Sequence, residues 1–174
     1  MDVNVLLDAV LERAPHAEVA AKIWAAVEAR RVRGLVPGHA VTTLFYLFSR
    51  VRGANSARRA VAHLLTIFEV AAVSQSTLQR ALTLGWTDFE DAVCAAAAEA
   101  ANCDLIVTRD PAGFPASPIQ TVDPATALAL LERELGTGLL SEPRRAPYVA
   151  GRRISNGRSR RRRLHRAGVH AGRT

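Results

Sequence analysis

Aromatic residues make up only 5% of the chain while hydrophobic residues make up 49%, so whatever interior it buries is aliphatic and rich in alanine. The two cysteines, Cys94 and Cys103, lie nine positions apart. On a helix turning about 100° per residue they point to opposite sides, which excludes a local disulfide or zinc pair and leaves free thiols. No stretch approaches the roughly 18 apolar residues that a membrane helix needs. Acids at Asp2 and Asp8 spoil a signal-peptide reading, so the expectation is a soluble, cytoplasmic protein. No internal repeat is visible.

Acids are almost missing from one end. Residues 141–174 carry eleven arginines against one acid, Glu142, whereas residues 1–140 carry twelve basic residues against fifteen acids. The formal charge of +7 therefore belongs to an appendage on a mildly acidic body. A folded domain over 1–140 and an Arg-rich, disordered tail over 141–174 follow, because the tail has almost nothing apolar to bury. The tail reads either as a solvated end or as a sequence-independent attractor of phosphates that weakens as salt rises.

The body alternates helical and strand patterns. Asp2–Asp8 reads as a turn into a short helix, Pro15 to about Arg31 as a second helix, and Val32–Val36 as a strand ended by Pro37-Gly38. Ala40–Arg52 is helical and stops at Gly53, and Asn55 or Ser56 caps the next helix. Glu69–Val73 reads as a strand and Gln75–Leu84 as a helix. Leu105–Thr108 and Ile119–Val122 are strands, and Asp123-Pro124 starts a last helix to about Leu135, stopped by Gly136. Helices alternating with short buried strands imply an α/β fold, a parallel sheet covered on both faces.

The stretch from Trp86 to Phe114 concentrates the chemistry. Asp88 and Asp91 are three apart at the mouth of an Ala-rich helix, so both carboxylates face one side of its first turn. Asp110 falls where the strand Leu105–Thr108 ends, and carboxyl ends of strands are where open α/β sheets bind ligands. The plainer readings are an N-cap with its capping-box partner for Asp88 and Asp91 and a turn opener for Asp110 before Pro111. Arg109 reads as half of an ion pair, His39 as a helix-start residue, and Trp86, Phe89 and Phe114 as packing residues.

Four segments in order, D-x-N-V-L-L-D from Asp2, H-A-V-T-T-L-F-Y-L at 39–47, D-F-E-D-A-V at 88–93 and T-R-D-x-x-x-F at 108–114, resemble the PIN-domain ribonucleases, with the closest look to VapC-like toxins of bacterial toxin-antitoxin pairs. The resemblance runs from Asp2 to about Leu135. It implies a three-layer α/β/α domain whose acids bind magnesium or manganese at the carboxyl edge of a parallel sheet and cut RNA. It also implies a cognate antitoxin that inserts into the acidic crevice, and a homodimer. Asp2, Asp91 and Asp110 match the family's metal-binding acids, Asp88 an accessory catalytic acid, and Asn4 the polar partner after the first acid. Two features depart from the pattern. Thr43 stands where the family usually has a Glu. Only Met1 precedes Asp2, where the family has a central strand, so either translation begins upstream or the middle of the sheet is lacking.

Clustered carboxylates with no Lys or Arg among them repel, and a hard divalent cation removes the conflict. With oxygen ligands and neither His nor Cys near the motifs, Mg2+ or Mn2+ is expected over zinc. The leading expectation is a metal-dependent endoribonuclease toxin. Beside it stand a PIN nuclease for RNA maturation without an antitoxin, and a non-catalytic RNA-binding module whose tail does the binding.

Overall fold

The computed structural model describes residues 1–135; the expected basic tail, and the last five residues of the expected domain with the Gly136 helix stop, lie outside the described residues. Among the described residues, seven α-helices and four three-residue strands follow in the order α1 (Val3–Leu11), α2 (Ala17–Glu28), β1 (Leu35–Pro37), α3 (Gly38–Arg52), α4 (Ala54–Ile67), β2 (Glu69–Ala71), α5 (Gln75–Leu84), α6 (Phe89–Ala100), β3 (Leu105–Val107), β4 (Gln120–Val122) and α7 (Pro124–Leu135). A single 3-10 turn, Pro111–Gly113, separates β3 from β4.

The alternation expected from the sequence is present, with boundaries moved by backbone turns and by contacts with distant segments. α2 begins at Ala17 rather than Pro15, because Arg13 C=O first accepts from His16 and Ala17 N–H. It ends at Glu28 rather than near Arg31, since Arg30 takes φ 58° and its guanidinium donates to the carbonyls of Thr66 and Ile67. The strand expected over 32–36 narrows to Leu35–Pro37. Ahead of it, Gly34 fits against Val27 so closely that an added Cβ would meet a Val27 methyl at 2.5 Å. α4 starts directly after Gly53, so Asn55 and Ser56 fall inside its first turn and accept from Arg58 and Arg59 instead of capping. Ser74 caps α5 with a capping box, and Asp123 caps the start of α7 through Thr126 N–H.

All strand pairing is parallel, as expected, yet it falls into two pairs: β1 with β2, and β3 with β4. The first two residues of the chain lie between the pairs. The Met1 ammonium donates to Leu35 C=O at 2.7 Å and Asp2 N–H donates to Val107 C=O at 2.9 Å. These two bonds stand where the resemblance placed a central strand. Beyond Met1 the gap between β1 and β3 is a cleft of about 610 Å³, lined by Leu35, Leu105 and Val107 with Ile23 and Val27 of α2.

The layers follow from the period-two alternation of β3. Leu105 and Val107 pack with Ile23 of α2 and Ala127 and Leu128 of α7 on one face. Ile106 points the other way, into Cys94, Ala95 and Ala98 of α6. Small alanines let α6 lie close on the sheet, and burying Ile106 contributes roughly 1.5–3 kcal/mol. The largest cluster surrounds α1, whose Val5, Leu6 and Leu7 are fully buried among side chains of α2, α3 and α4. Thus α1 is wedged deep in the body with its first residues pinned between the two strand pairs. Among the described residues no helix is long and apolar enough to cross a membrane.

Candidate functional site

Three chain segments end at one place: the start of α1, the start of α6 and the carboxyl end of β3. Asp2 occupies the N-cap position of α1, yet its carboxylate makes no capping bond. Oδ2 instead accepts from Thr108 Oγ1 at 3.1 Å. The same hydroxyl oxygen accepts from Asp110 N–H at 3.2 Å, so buried Thr108 ties the first acid to the backbone of the last. Asp2 is therefore held by its N–H, bonded to Val107, and by its side chain, bonded to Thr108.

Asp88 caps α6, its Oδ1 accepting from Glu90 N–H at 2.9 Å and Asp91 N–H at 3.2 Å. The plainer reading of Asp88 is thus present in the structure, and its charge is kept at the helix mouth. Asp91 sits in the first turn of α6 and returns no bond to Asp88, so it is not a capping-box partner. Burial, and after it the charges of Asp88, Asp2, Glu90 and Asp110, push its carboxyl up to about 6. A carboxyl raised by burial and by four like charges, with no cation lowering it, belongs to a cluster short of positive charge.

The strongest convergence is at Gly113, in the 3-10 turn after Asp110. A Cβ at that position would lie 3.0 Å from Asp91 Oδ2 and 3.4 Å from Asp110 Oδ2. Two carboxylate oxygens, one from α6 and one from the β3 end, therefore border one small hollow, the space that a side chain at position 113 would enter. The donor set is all oxygen and hard, which suits magnesium or manganese rather than zinc. As the side chains stand, no three His, Cys, Asp or Glu residues among the described ones come close enough together to hold a metal ion. By donor chemistry these acids suit a divalent ion; by placement, Asp91 and Asp110 each bring an oxygen to Gly113, and Asp2 is tied to Asp110 through Thr108.

Around these acids the remaining residues sort themselves. Arg109 points away from the hollow, its Nη1 3.1 Å from Oδ1 of Asp8, an acid of α1 with no exposed surface. This pair fastens the β3 end to α1, as the ion-pair reading of Arg109 expects. His39, in the first turn of α3, does not cap the helix. Its Nε2 is 3.8 Å from Glu90 Oε1, and its buried Nδ1 has no partner among the described residues. Burial holds its pKa below the usual imidazole range, against the opposing pull of Glu90 and Asp2. Asn4 is exposed on α1. Trp86 and Phe114 pack edge to face with ring centres 5.6 Å apart. Phe89 departs from the packing expectation and is 45% exposed, because the N1 position of α6 faces outward once Asp88 caps the helix.

Three residues of the site escape a reading of acids alone: Thr108, Gly113 and Asp8. Thr108 and Gly113 are visible as the T of T-R-D and the G before Phe114, but only the fold shows that one bridges two acids and the other leaves room between two. Asp8 carries no sequence signal beyond being an acid on the apolar face of a helix.

A protein-family model described as PIN domain matches residues 1–112, and the chain belongs to the PIN-domain family. That is a nuclease fold, typically of metal-dependent ribonucleases. No curated protein matches the chain.

Proposed function

We propose that this PIN domain is a magnesium- or manganese-dependent endoribonuclease acting as the toxin of a toxin-antitoxin pair. The observation that carries the nuclease reading is the hollow at Gly113, into which Asp91 and Asp110 each turn one oxygen. Asp2, Asp91 and Asp110 would hold the ion, and Asp88 would add charge at the rim. A bound divalent cation there supplies Lewis acidity at a phosphodiester and acidifies water.

The protein's own part is placement and proton holding. Thr108 keeps the Asp2 carboxylate and the Asp110 backbone in one geometry, so neither acid has to be ordered when substrate arrives. Asp91, with its carboxyl near 6, carries a proton part of the time at neutral pH in the absence of a cation and gives it up when a cation joins the cluster. The N-termini of α1 and α6 face the acids and make their collective negative charge tolerable. Hydrolysis by water leaves 5′-phosphate and 3′-hydroxyl ends, since the ribose 2′-hydroxyl is not the nucleophile.

The toxin role rests on the four-segment resemblance, and the partners it brings are a cognate antitoxin seated in the acidic crevice and a second copy of the chain. The test is cleavage of RNA by the purified chain with and without EDTA and with added Mn2+. Cleavage stopped by EDTA and restored by Mn2+, with 5′-phosphate products, supports the reading; 2′,3′-cyclic phosphate products sink it. A second reading, a non-catalytic RNA-binding module, is favoured by Thr43 in place of a Glu and by the lack of a third ligand at ion distance. It predicts RNA binding that survives EDTA and no cleavage at any Mn2+ concentration.

A further inference from the structure

Between Glu28 and Glu69 the chain contains no acid at all, although the body as a whole has more acids than bases. This stretch includes all of α3 and α4, a helical hairpin turned at Gly53. Arg50, Arg52 and Arg58 lie exposed at its tip, ion-paired to no described acid. At the other end of α3, His39 stands beside Glu90 and within the field of Asp2. One helix therefore runs from the acid cluster to a cationic tip.

The face of α3 that joins the two ends is not apolar. His39, Thr43, Tyr46 and Arg50 recur at the spacing that places side chains in one stripe along a helix. Tyr46 is 56% exposed, an unusual fate for a tyrosine in a chain with few aromatic residues. The Arg50 guanidinium lies 5.8 Å from its ring centre, and Arg50 Nη1 donates to the phenol oxygen at 3.0 Å. Arg50 thus braces the exposed ring through one of its nitrogens. At about 1.5 Å per residue the stripe is roughly 16 Å long. That spans about four or five nucleotides of a stacked strand at roughly 3.4 Å each.

We propose that this stripe of α3, with Arg52 and Arg58 at the hairpin tip, is the track on which single-stranded RNA lies as it enters the acid hollow. Tyr46 stacks a base and the arginines neutralise phosphates, a combination that grips single strands without reading sequence. The inference deepens the nuclease reading above by naming where its substrate runs. A cationic track also solves a problem that the site creates for itself, since an acidic hollow repels the phosphates it is meant to receive.

The test uses the full chain in EDTA, so that no cleavage intervenes, and a short fluorescent single-stranded RNA of mixed sequence. Tyr46→Ala is expected to weaken binding about tenfold and Tyr46→Phe to restore it. Arg50→Gln is expected to weaken it severalfold and to lower the salt slope by about one. Arg80→Gln, the same charge change at an arginine of α5 paired with Glu99, serves as the control and is expected to leave both unchanged. Because residues 141–174 add a cationic background, a 4-thiouridine photocrosslink is read as well, with the adduct expected on the peptide holding Tyr46. Equal losses from Arg50→Gln and Arg80→Gln, or a crosslink mapping only outside α3 and α4, overturn the proposal. So does a Tyr46→Ala variant that changes self-association in the ultracentrifuge while RNA affinity holds, which would make the stripe a contact between copies. Binding through α3 without any cleavage in Mn2+ would instead sink the nuclease reading and leave the track standing.

Discussion

Asp91→Asn separates the electrostatic account of the site from a merely structural one, because it removes a charge and keeps the shape. The Asp91 carboxyl is raised from 3.8 to about 6, so the folded state holds its proton more tightly than the unfolded chain does. The sign follows from linkage: the stability that goes with protonated Asp91 is fully present below 3.8 and is lost as the pH rises through about 6. Two pH units at 1.36 kcal/mol each set a ceiling of about 3 kcal/mol. The side chain is only partly buried, so solvent screening reduces this to on the order of 1 kcal/mol. The α6 dipole opposes with up to about 1 kcal/mol in favour of a charge in the first turn, which makes the trend with pH more telling than its size. Thermal unfolding in EDTA should show the variant gaining on the wild type by up to about 3 °C between pH 4 and pH 7.5. With excess Mn2+ the order reverses. The wild type gains up to about 2.7 kcal/mol at a hundredfold excess over its dissociation constant, and the variant gains far less and does not cleave RNA. A variant that loses stability relative to the wild type as the pH rises in EDTA would refute the reasoning, since charged Asp91 would then be helping the fold.

Other substitutions probe the remaining parts. Gly113→Ala places a methyl 3.0 Å from Asp91 Oδ2 and 3.4 Å from Asp110 Oδ2, so calorimetric Mn2+ affinity should fall at least tenfold with little change in far-UV circular dichroism; unchanged affinity would remove the hollow as the ion's seat. Thr108→Val deletes the oxygen shared by Asp2 and Asp110 at constant shape. Urea unfolding should show a loss of about 1–3 kcal/mol together with weaker Mn2+ binding. Arg109→Ala leaves Asp8 buried and unpaired; because the Arg109 side chain is 39% exposed, the loss should be about 2–3 kcal/mol rather than the 3–5 of a fully enclosed pair, and Asp8→Asn in the same background should recover part of it. Cys94, its thiol pushed up to about 12 by burial, should resist iodoacetamide at pH 8 until the protein is unfolded, as mass spectrometry would show.

Much of this was legible in residue order because the local signals are chemical. Asp88 and Asp123 read as caps and act as caps, and the stretches 105–108 and 119–122 read as strands and pair in parallel over 105–107 and 120–122. Boundaries failed where a distant group intervened. The strand after α2 is short because Gly34 is pressed onto Val27, and α2 stops early because Arg30 reaches across to Thr66 and Ile67; neither contact has a local signature. The split of the sheet into two pairs has no local signature either, since the bonds of Met1 and Asp2 to Leu35 and Val107 join distant segments. Among the site residues, the acids could be picked by type and spacing. Thr108, Gly113 and Asp8 could not, since a bridging hydroxyl, a missing Cβ and a buried counter-ion are defined by what the fold sets opposite them.

The acids also explain why so much of the fold converges on so small a region. Burial, and after it the neighbouring acids, raise Asp91 to about 6, which works against folding, and the surrounding bonds offset that tendency. Asp2 N–H is tied to Val107, Thr108 binds Asp2 and Asp110 together, Arg109 clamps the same strand end to Asp8 of α1, and two helix N-termini face the charge. The bonds from Val107, Thr108 and Arg109 all run to α1, so the start of α1 and the end of β3 cannot drift apart without breaking several at once. None of these contacts places a cation among the carboxylates: Arg109, beside Asp110 in the chain, is turned onto Asp8 instead. The arrangement fixes Asp2 and the β3 end in one geometry and sets no described Lys or Arg against Asp91, the state that the proposed divalent ion would relieve.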